Sequence, residues 1–296
     1  VILIHVNFSE LVSVTGTPQL TLETGSIDAV VNFATGDDTP VLEFPYTVLS
    51  GHNSSDLDYI STSALALNGG TIQDAAGNNA TLTLASPGES NSLAANKALI
   101  IDTITPTITY ITSSTPNGAY TVGDRIDLTI RFSEPVVLST PSGNQNIELW
   151  AAVNTGTSYI LAKGTFFTDY VDSVTTTGMS GEGYTPYLYI ISAGESTNDL
   201  NVNGVQLSDN IYLEDRAGNR LTTGTIPTGV NLADNKAIIV DTDAPTPGTI
   251  NDGNIIYQGW SDTLTASWSG FVDTLSGIAS YEYAIGTAVD SSNILA

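Results

Sequence analysis

The stretch TIQDAAGNNATL, Thr71 to Leu82, returns as YLEDRAGNRLTT at Tyr212 to Thr223. Each copy sets Asp, any residue, Ala, Gly and Asn behind a short run that carries a β-branched or aromatic residue. Asp and Asn side chains bond their own backbone and Gly supplies positive φ, so the pattern reads as a tight turn between strands. A strand-and-turn unit spelled twice in one chain points to an all-β fold made of a repeated module.

Working outward from the turn, the repetition spreads along the chain. VNFSELV (Val6 to Val12) returns as IRFSEPV (Ile130 to Val136), LSGHNSSDL (Leu49 to Leu57) is echoed by SAGESTNDL (Ser192 to Leu200), and NKALIIDTITPT (Asn96 to Thr107) by NKAIIVDTDAPT (Asn235 to Thr246). The offsets are 124, 143, 141 and 139, so order is kept and 19 extra residues between Pro135 and Pro186 explain most of the drift. RIDLTIRF (Arg125 to Phe132), TPVLEFPYTV (Thr39 to Val48) and ALIID (Ala98 to Asp102) read as strands, with Gly, Asn, Asp and Pro between them. Helical periodicity is nearly missing, which favours β-sandwiches over βαβ units. Val1 aligns with Arg125, so copy one has no counterpart of TYITSSTPNGAYTVGD, Thr109 to Asp124. The last fifty residues differ: TLTASWSGF (Thr263 to Phe271) and SGIASYEYAIGT (Ser276 to Thr287) resemble the opening strands of a fibronectin type III module, with Trp268 and Tyr281 in core places. The expected modules are residues 1–104, 105–244 and 245–296.

Composition narrows function. Among 296 residues, 31 acids against 7 bases give a net charge of −24, which repels nucleic-acid phosphates and anionic lipid surfaces. Cysteine is absent and only His5 and His52 occur, which argues against disulfides, zinc and a His-dependent triad. No run approaches the ~18 apolar residues of a membrane helix. No GxSxG elbow, HExxH helix, P-loop or dinucleotide fingerprint is present, so no motif selects catalytic residues and the chain reads as a non-enzyme. VILIHVNF at the start looks like a strand already under way, so the chain reads as a segment of something longer.

The repeated acids are the candidate site. Glu10 and Glu134 sit in FSE, Asp74 and Asp215 in the DxAGN turn, and Asp102, Asp241 and Asp243 at the strand-to-linker exit. If loops alternate between the poles of a sandwich, Asp74 and Asp102 of one module meet Glu134 of the next. Asp215, Asp241 and Asp243 repeat the arrangement, and Glu10 faces whatever comes before. Carboxylates crowded in one place repel one another, and a hard divalent cation offsets that cost. Ca²⁺, which takes about 6–8 oxygens in flexible geometry, suits ligands drawn from separate loops. A tight turn alone also explains DxAGN, a solvated strand end explains the FSE Glu, and a turn before Pro explains the linker Asp. Asp56 and Asp199, each followed by Leu, are further metal candidates, with a helical-turn cap as the alternative.

FSEPV, DLDY, GGTIQDAAGN and IIDTITPTI together resemble the bacterial immunoglobulin-like, cadherin-like tandem repeats of large surface adhesins, over about residues 1 to 245. The resemblance implies elongated tandem immunoglobulin-like β-sandwiches, calcium at module junctions and an extracellular, cell-surface setting. In cadherins a DRE turn, an Asp-rich linker and a DxD loop supply the ligands. Asp74 and Asp215 match the turn in role, but Ala and Gly replace its Glu, and FSE offers one acid where the loop offers two. The expected role is a calcium-stiffened spacer whose partners are neighbouring modules of the same longer chain, presenting a distal adhesive element. The alternative is a module that binds a surface glycan or protein through aromatics of the second repeat, such as Trp150 or the Tyr187 and Tyr189 face.

Overall fold

The structure, a computed structural model, describes residues 1–139, 148–156, 158–163, 171–175, 189–207, 212–221, 224–251 and 265–284. The chain is all-β, built of antiparallel sheets, with one parallel strand pair and two single-turn helices among the described residues. None of those helices is long and apolar enough to cross a membrane. By packing, the chain divides into Val1–Pro106 with Glu214–Leu221, and Thr107–Leu213 with Thr222–Ala296.

The first unit contains β1 (Ile2–Thr15), β2 (Gln19–Glu23), β3 (Ala29–Asn32), β4 (Thr39–Tyr46), β5 (Asp58–Tyr59), β6 (Leu65–Ala66), β7 (Thr71–Gln73) and the helical turn α1 (Leu93–Asn96). One sheet runs β4-β1-β7; the other runs β3-β2-β5, with β6 also on β2. Alternation decides which side chains face the core. In β4 every second residue, Leu42, Phe44 and Tyr46, is buried, and Leu20, Leu22, Ile4, Leu57 and Ile72 close around them. Burying each such side chain fully is worth about 1.5–3 kcal/mol against leaving it in water, so this cluster outweighs any single surface contact.

Two strand expectations need correction in this unit. FSE does not end a strand: β1 continues through Glu10, pairs with β4 from Ile2 to Asn7 and again at Val12, and shifts register between. The acid therefore sits in a β-bulge, a device that re-aims side chains. The second half of β1 then pairs Ser13 to Thr15 with β7. ALIID forms no strand; it makes only the bridge between Ser54 and Ile101.

The second unit contains β8 (Ile108–Thr112), β9 (Gly118–Tyr120), β10 (Arg125–Ile126), β11 (Thr129–Ser139), β12 (Glu148–Val153), β13 (Ser158–Lys163), β14 (Val171–Thr175), β15 (Tyr189–Ile190), β16 (Val202–Leu207), β17 (Tyr212–Glu214) up to its last residue, α2 (Leu232–Asn235), β18 (Ile238–Val240), β19 (Thr249–Asn251) and β20 (Ser267–Ser269). β11 is flanked by β14 and β17, with β8 also paired to it; β13-β12-β16 forms a second sheet. β11 carries the same register shift, between Arg131 and Val136. Here the counterpart of ALIID is a strand, because β18 runs parallel to β9.

RIDLTIRF is two strands rather than one, broken at Asp127 and Leu128. Asp127 is 5 % exposed and collects Thr115 N–H at 2.8 Å, Thr115 Oγ1 at 2.7 Å, Ser114 N–H at 2.9 Å and Ser113 Oγ at 3.0 Å. Burial alone raises a carboxyl pKa, but these donors outweigh it and hold the group at about 2. The carboxylate pins the SST loop to the start of the sheet, at the cost of one ladder step.

The described residues of the last segment, 245–251 and 265–284, pack within the second unit. β19 pairs with β20, and Trp268 and Phe271 contact Tyr281 at ring-centroid distances of 6.0 and 5.7 Å. Trp268 and Tyr281 are nonetheless 49 % and 51 % exposed, so among the described residues they make a surface cluster and not the expected core. Residues 252–264 and 285–296, which carry parts of the fibronectin-like motifs, lie outside the described residues.

Candidate metal centre

Both DxAGN turns are built alike. Asp74 Oδ1 accepts Ala76 N–H at 2.9 Å and Asn78 N–H at 2.8 Å, and its Oδ2 accepts Asn78 Nδ2 at 2.7 Å. Asp215 Oδ1 accepts Ala217 N–H at 2.7 Å and Asn219 N–H at 2.9 Å, and its Oδ2 accepts Asn219 Nδ2 at 2.8 Å. Gly77 and Gly218 take φ of 86° and 87°, which a side chain resists. Each invariant letter of the repeated motif thus has a turn-building job. The Asn78 side chain, with the turn's N–H groups, holds the Asp74 carboxyl below the usual carboxylate range.

Surroundings separate the two turns. Asp74 is half-buried, whereas Asp215 is 2 % exposed. Glu214–Leu221 packs as part of the first unit, where Asn219 Nδ2 also donates to the Asp102 carbonyl at 3.1 Å. There a carboxylate oxygen of Asp102 lies within 4.8 Å of one from Asp215. Asp102 Oδ1 accepts Ile104 N–H at 2.9 Å.

Sequence reasoning had joined Asp102 to Asp74; the turn that reaches Asp102 is that of the later copy. The reason lies in strand register. Gln73 pairs with Ser13, so Asp74 follows at the level of Val12, beside the bulge that holds Glu10. The turn therefore shares an end of its sheet with the FSE acid instead of lying at the opposite pole.

The donors fit a hard, oxygen-preferring cation. Like charges this close repel strongly where water is excluded. Asp215 is buried, and its Oδ2 accepts from Asn219 Nδ2 with acceptor capacity beyond that one bond. No sulfur or imidazole accompanies the pair, which suits Ca²⁺ or Mg²⁺ better than zinc. The pair supplies a minority of the ligands that Ca²⁺ takes, so carbonyl oxygens and water would complete the shell.

The second linker acid is held differently. Asp241, 6 % exposed, accepts Asp243 N–H on Oδ1 at 3.0 Å, the same two-residue turn that Asp102 makes with Ile104. Its Oδ2 accepts Ser276 N–H at 3.0 Å, and Ser276, with Asp243 N–H, lowers its pKa. Ser276 N–H also reaches Asp273 Oδ1 at 3.1 Å, which further collects Leu275 and Gly277 N–H at 3.2 and 3.0 Å. The partner of Asp241 is thus a second Asp-centred turn, Asp273 to Gly277, where Asp215 had been expected. Asp273 was missed. VDTLSG carries the signal in Asp followed by Ser-Gly, but it lacks the DxAGN spelling.

Glu10 is exposed and Glu134 half-buried, each in the bulge of its own strand, and Asp243 is exposed. Asp56 Oδ1 accepts Leu99 N–H at 3.2 Å, while Asp199 Oδ1 is buried with no hydrogen-bond partner among the described residues. No helix starts at either; the helical turns are capped by Ser92 and Asn231. Tyr189 is fully buried with its hydroxyl 3.2 Å from Glu195 Oε2, so it offers no stacking face, and Tyr187 lies outside the described residues. Trp150 is half-buried on β12. In comparisons with known proteins, no family model, no curated protein and no solved structure matches this chain.

Proposed function

We propose that this chain is a non-catalytic, adhesive spacer of an extracellular repeat protein, made of tandem immunoglobulin-like modules and stiffened by Ca²⁺. The supporting observation is the pair of carboxylates, Asp102 and Asp215, whose oxygens approach within 4.8 Å while Asn219 ties the turn of one to the carbonyl of the other. Asp102 leaves one repeat and Asp215 belongs to the next repeat in sequence. A cation held by both ties the exit acid of the first repeat to the DxAGN turn spelled in the second and resists their separation.

The energetic scale is modest. An extracellular-type site with Kd of about 10⁻⁴–10⁻³ M, in millimolar calcium, contributes on the order of 1 kcal/mol. That is small beside a hydrophobic core and large beside the resistance of a hinge. Calorimetric titration of chelator-treated chain with Ca²⁺ tests the reading: saturable binding with at least one site is expected, and a flat titration up to several millimolar Ca²⁺ would overturn it.

A further inference from the structure

The loop from Leu49 to Asn53 has a counterpart in the second repeat, and the two differ at one buried acceptor. In copy one, Leu49 N–H donates to His52 Nδ1 at 3.3 Å, and the Tyr46 hydroxyl stands 3.0 Å from the same nitrogen with its ring stacked on the imidazole. In copy two the equivalent positions, each 143 residues later, are Ser192, Glu195 and Tyr189. Ser192 N–H donates to Glu195 Oε2 at 2.8 Å, and the Tyr189 hydroxyl donates to the same oxygen at 3.2 Å. His52 and Glu195 are each 5 % exposed. The buried acceptor that serves one loop N–H and one tyrosine hydroxyl is thus an imidazole in one repeat and a carboxyl group in the other.

Each loop grips the exit segment of its own repeat. Gly51 N–H donates to Thr103 Oγ1 at 3.0 Å, and Gly194 N–H to Thr242 Oγ1 at 3.0 Å. Copy one adds a bond from Thr103 N–H to Asn53 Oδ1 at 2.9 Å, and Ser54 and Ile101 exchange backbone bonds at 2.8 Å. The acceptor holds the loop, and the loop holds the exit.

We propose that Leu49 to Asn53 is an acid-sensitive latch on the exit segment Ile101 to Thr103, released when His52 is protonated, and that the second repeat carries the same latch without the acid sensitivity. A backbone N–H can only donate, so the Leu49 bond requires a lone pair on Nδ1 and puts the proton of the ring on Nε2. A second proton has to go to Nδ1, where it meets the Leu49 N–H donor to donor. The Tyr46 hydroxyl can turn and accept from it; the amide cannot. A carboxyl group, protonated or not, keeps an oxygen that accepts, so Ser192 N–H retains its bond to Glu195.

The charged groups around the ring leave this contrast in place. Asp28, from the turn between β2 and β3, lines the same groove as His52 but is exposed, where attraction to a cation is screened. Glu23 at the end of β2 is exposed and turned to Gly25 N–H at 3.1 Å. Glu43 of β4 lies on the face opposite Tyr46, with Thr35 Oγ1 at 2.7 Å and His5 Nε2 at 3.3 Å, and Asp102 beside Thr103 accepts Ile104 N–H. No step of the latch needs a metal.

Amide hydrogen exchange on the full chain at about pH 7.5 and about pH 5.5, corrected for the intrinsic pH dependence of exchange, reads both latches in one sample. The Leu49, Gly51 and Thr103 amides are expected to lose protection about tenfold on acidification, while Ser192 and Gly194 keep theirs. His52→Gln, whose side-chain oxygen accepts without titrating, is expected to abolish the response of the first loop. His5→Gln, which removes the other histidine, is expected to leave it intact. Unchanged Leu49 protection while the His52 ring titrates by NMR, parallel losses in both loops, or a response that survives in His52→Gln would each overturn the proposal. The first two outcomes are read on the unaltered chain, so the test stands even where His52→Gln fails to fold.

Discussion

Asp127 and the two turn aspartates illustrate how differently one residue type behaves. Asp127 is charged in the folded state because four donors face it, and its folded pKa of about 2 lies below the unfolded value near 3.9. A depressed carboxylate contributes stability that is fully present above the unfolded pKa and lost as pH falls through the folded one. The expected contribution is about 2 kcal/mol at pH 7. Asp127→Asn is therefore expected to lower unfolding stability by at least about that much at neutral pH. The gap between wild type and variant should narrow between about pH 4 and pH 2, as read by denaturant titrations at each pH. Asp74 and Asp215 make the same turn, so either change to Asn disturbs it. Under the proposed function only Asp215→Asn is expected to weaken calcium binding, by about tenfold or more, with Asp74→Asn serving as the control for turn damage; equal loss in both would assign the effect to turn folding.

At the scale of elements, close backbone approach and capping set the details. β1 meets β7 through Ser13 to Thr15, and Gly70 enters that pairing so tightly that an added Cβ would stand 2.0 Å from the Thr15 carbonyl oxygen. Nothing flexible stands in the way, so the strand itself must shift. Gly70→Ala is expected to cost about 1–3 kcal/mol, the range for forcing atoms into packed space, measured as a lower urea midpoint with unchanged slope. α2 is held by a capping box in which Asn231 and Asp234 exchange side-chain and backbone bonds, and Asn231 Nδ2 also donates to the Val202 carbonyl at 2.7 Å. Asn231→Ala removes both roles and is expected to cost about 1–2 kcal/mol. Ser92→Ala at α1, whose cap reaches only Ala95 N–H, falls at the lower end of that range.

For the whole molecule, charge is the dominant quantity. A net charge of −24 stresses the folded state by self-repulsion, which salt and bound cations both relieve. Raising monovalent salt from about 10 to 150 mM shortens the Debye length from about 30 to 8 Å, and the melting temperature is expected to rise with it. Calcium at millimolar concentration is expected to raise it further at constant ionic strength, and magnesium less, because Mg²⁺ demands a stricter octahedral shell. Scanning calorimetry in matched buffers separates the two effects. Equal shifts from calcium and from an ionically equivalent amount of sodium chloride would leave only screening.

The sequence by itself determined the all-β character of the chain, because β-branched alternation and Gly, Asn and Asp turns are local properties of a strand-forming backbone. It likewise determined the two-fold spelling of DxAGN, where each letter serves a bond made within five residues. What only the tertiary structure decided was which acids meet. A one-copy error in pairing Asp102 followed from guessing the pole of the turn, and that pole is set by the register of Gln73 against Ser13, a contact sixty residues apart in sequence. The bulge at Glu10, the break at Asp127 and the partnership of Asp241 with Ser276 escaped for the same reason. Each is fixed by hydrogen bonds between distant segments, which no local pattern encodes.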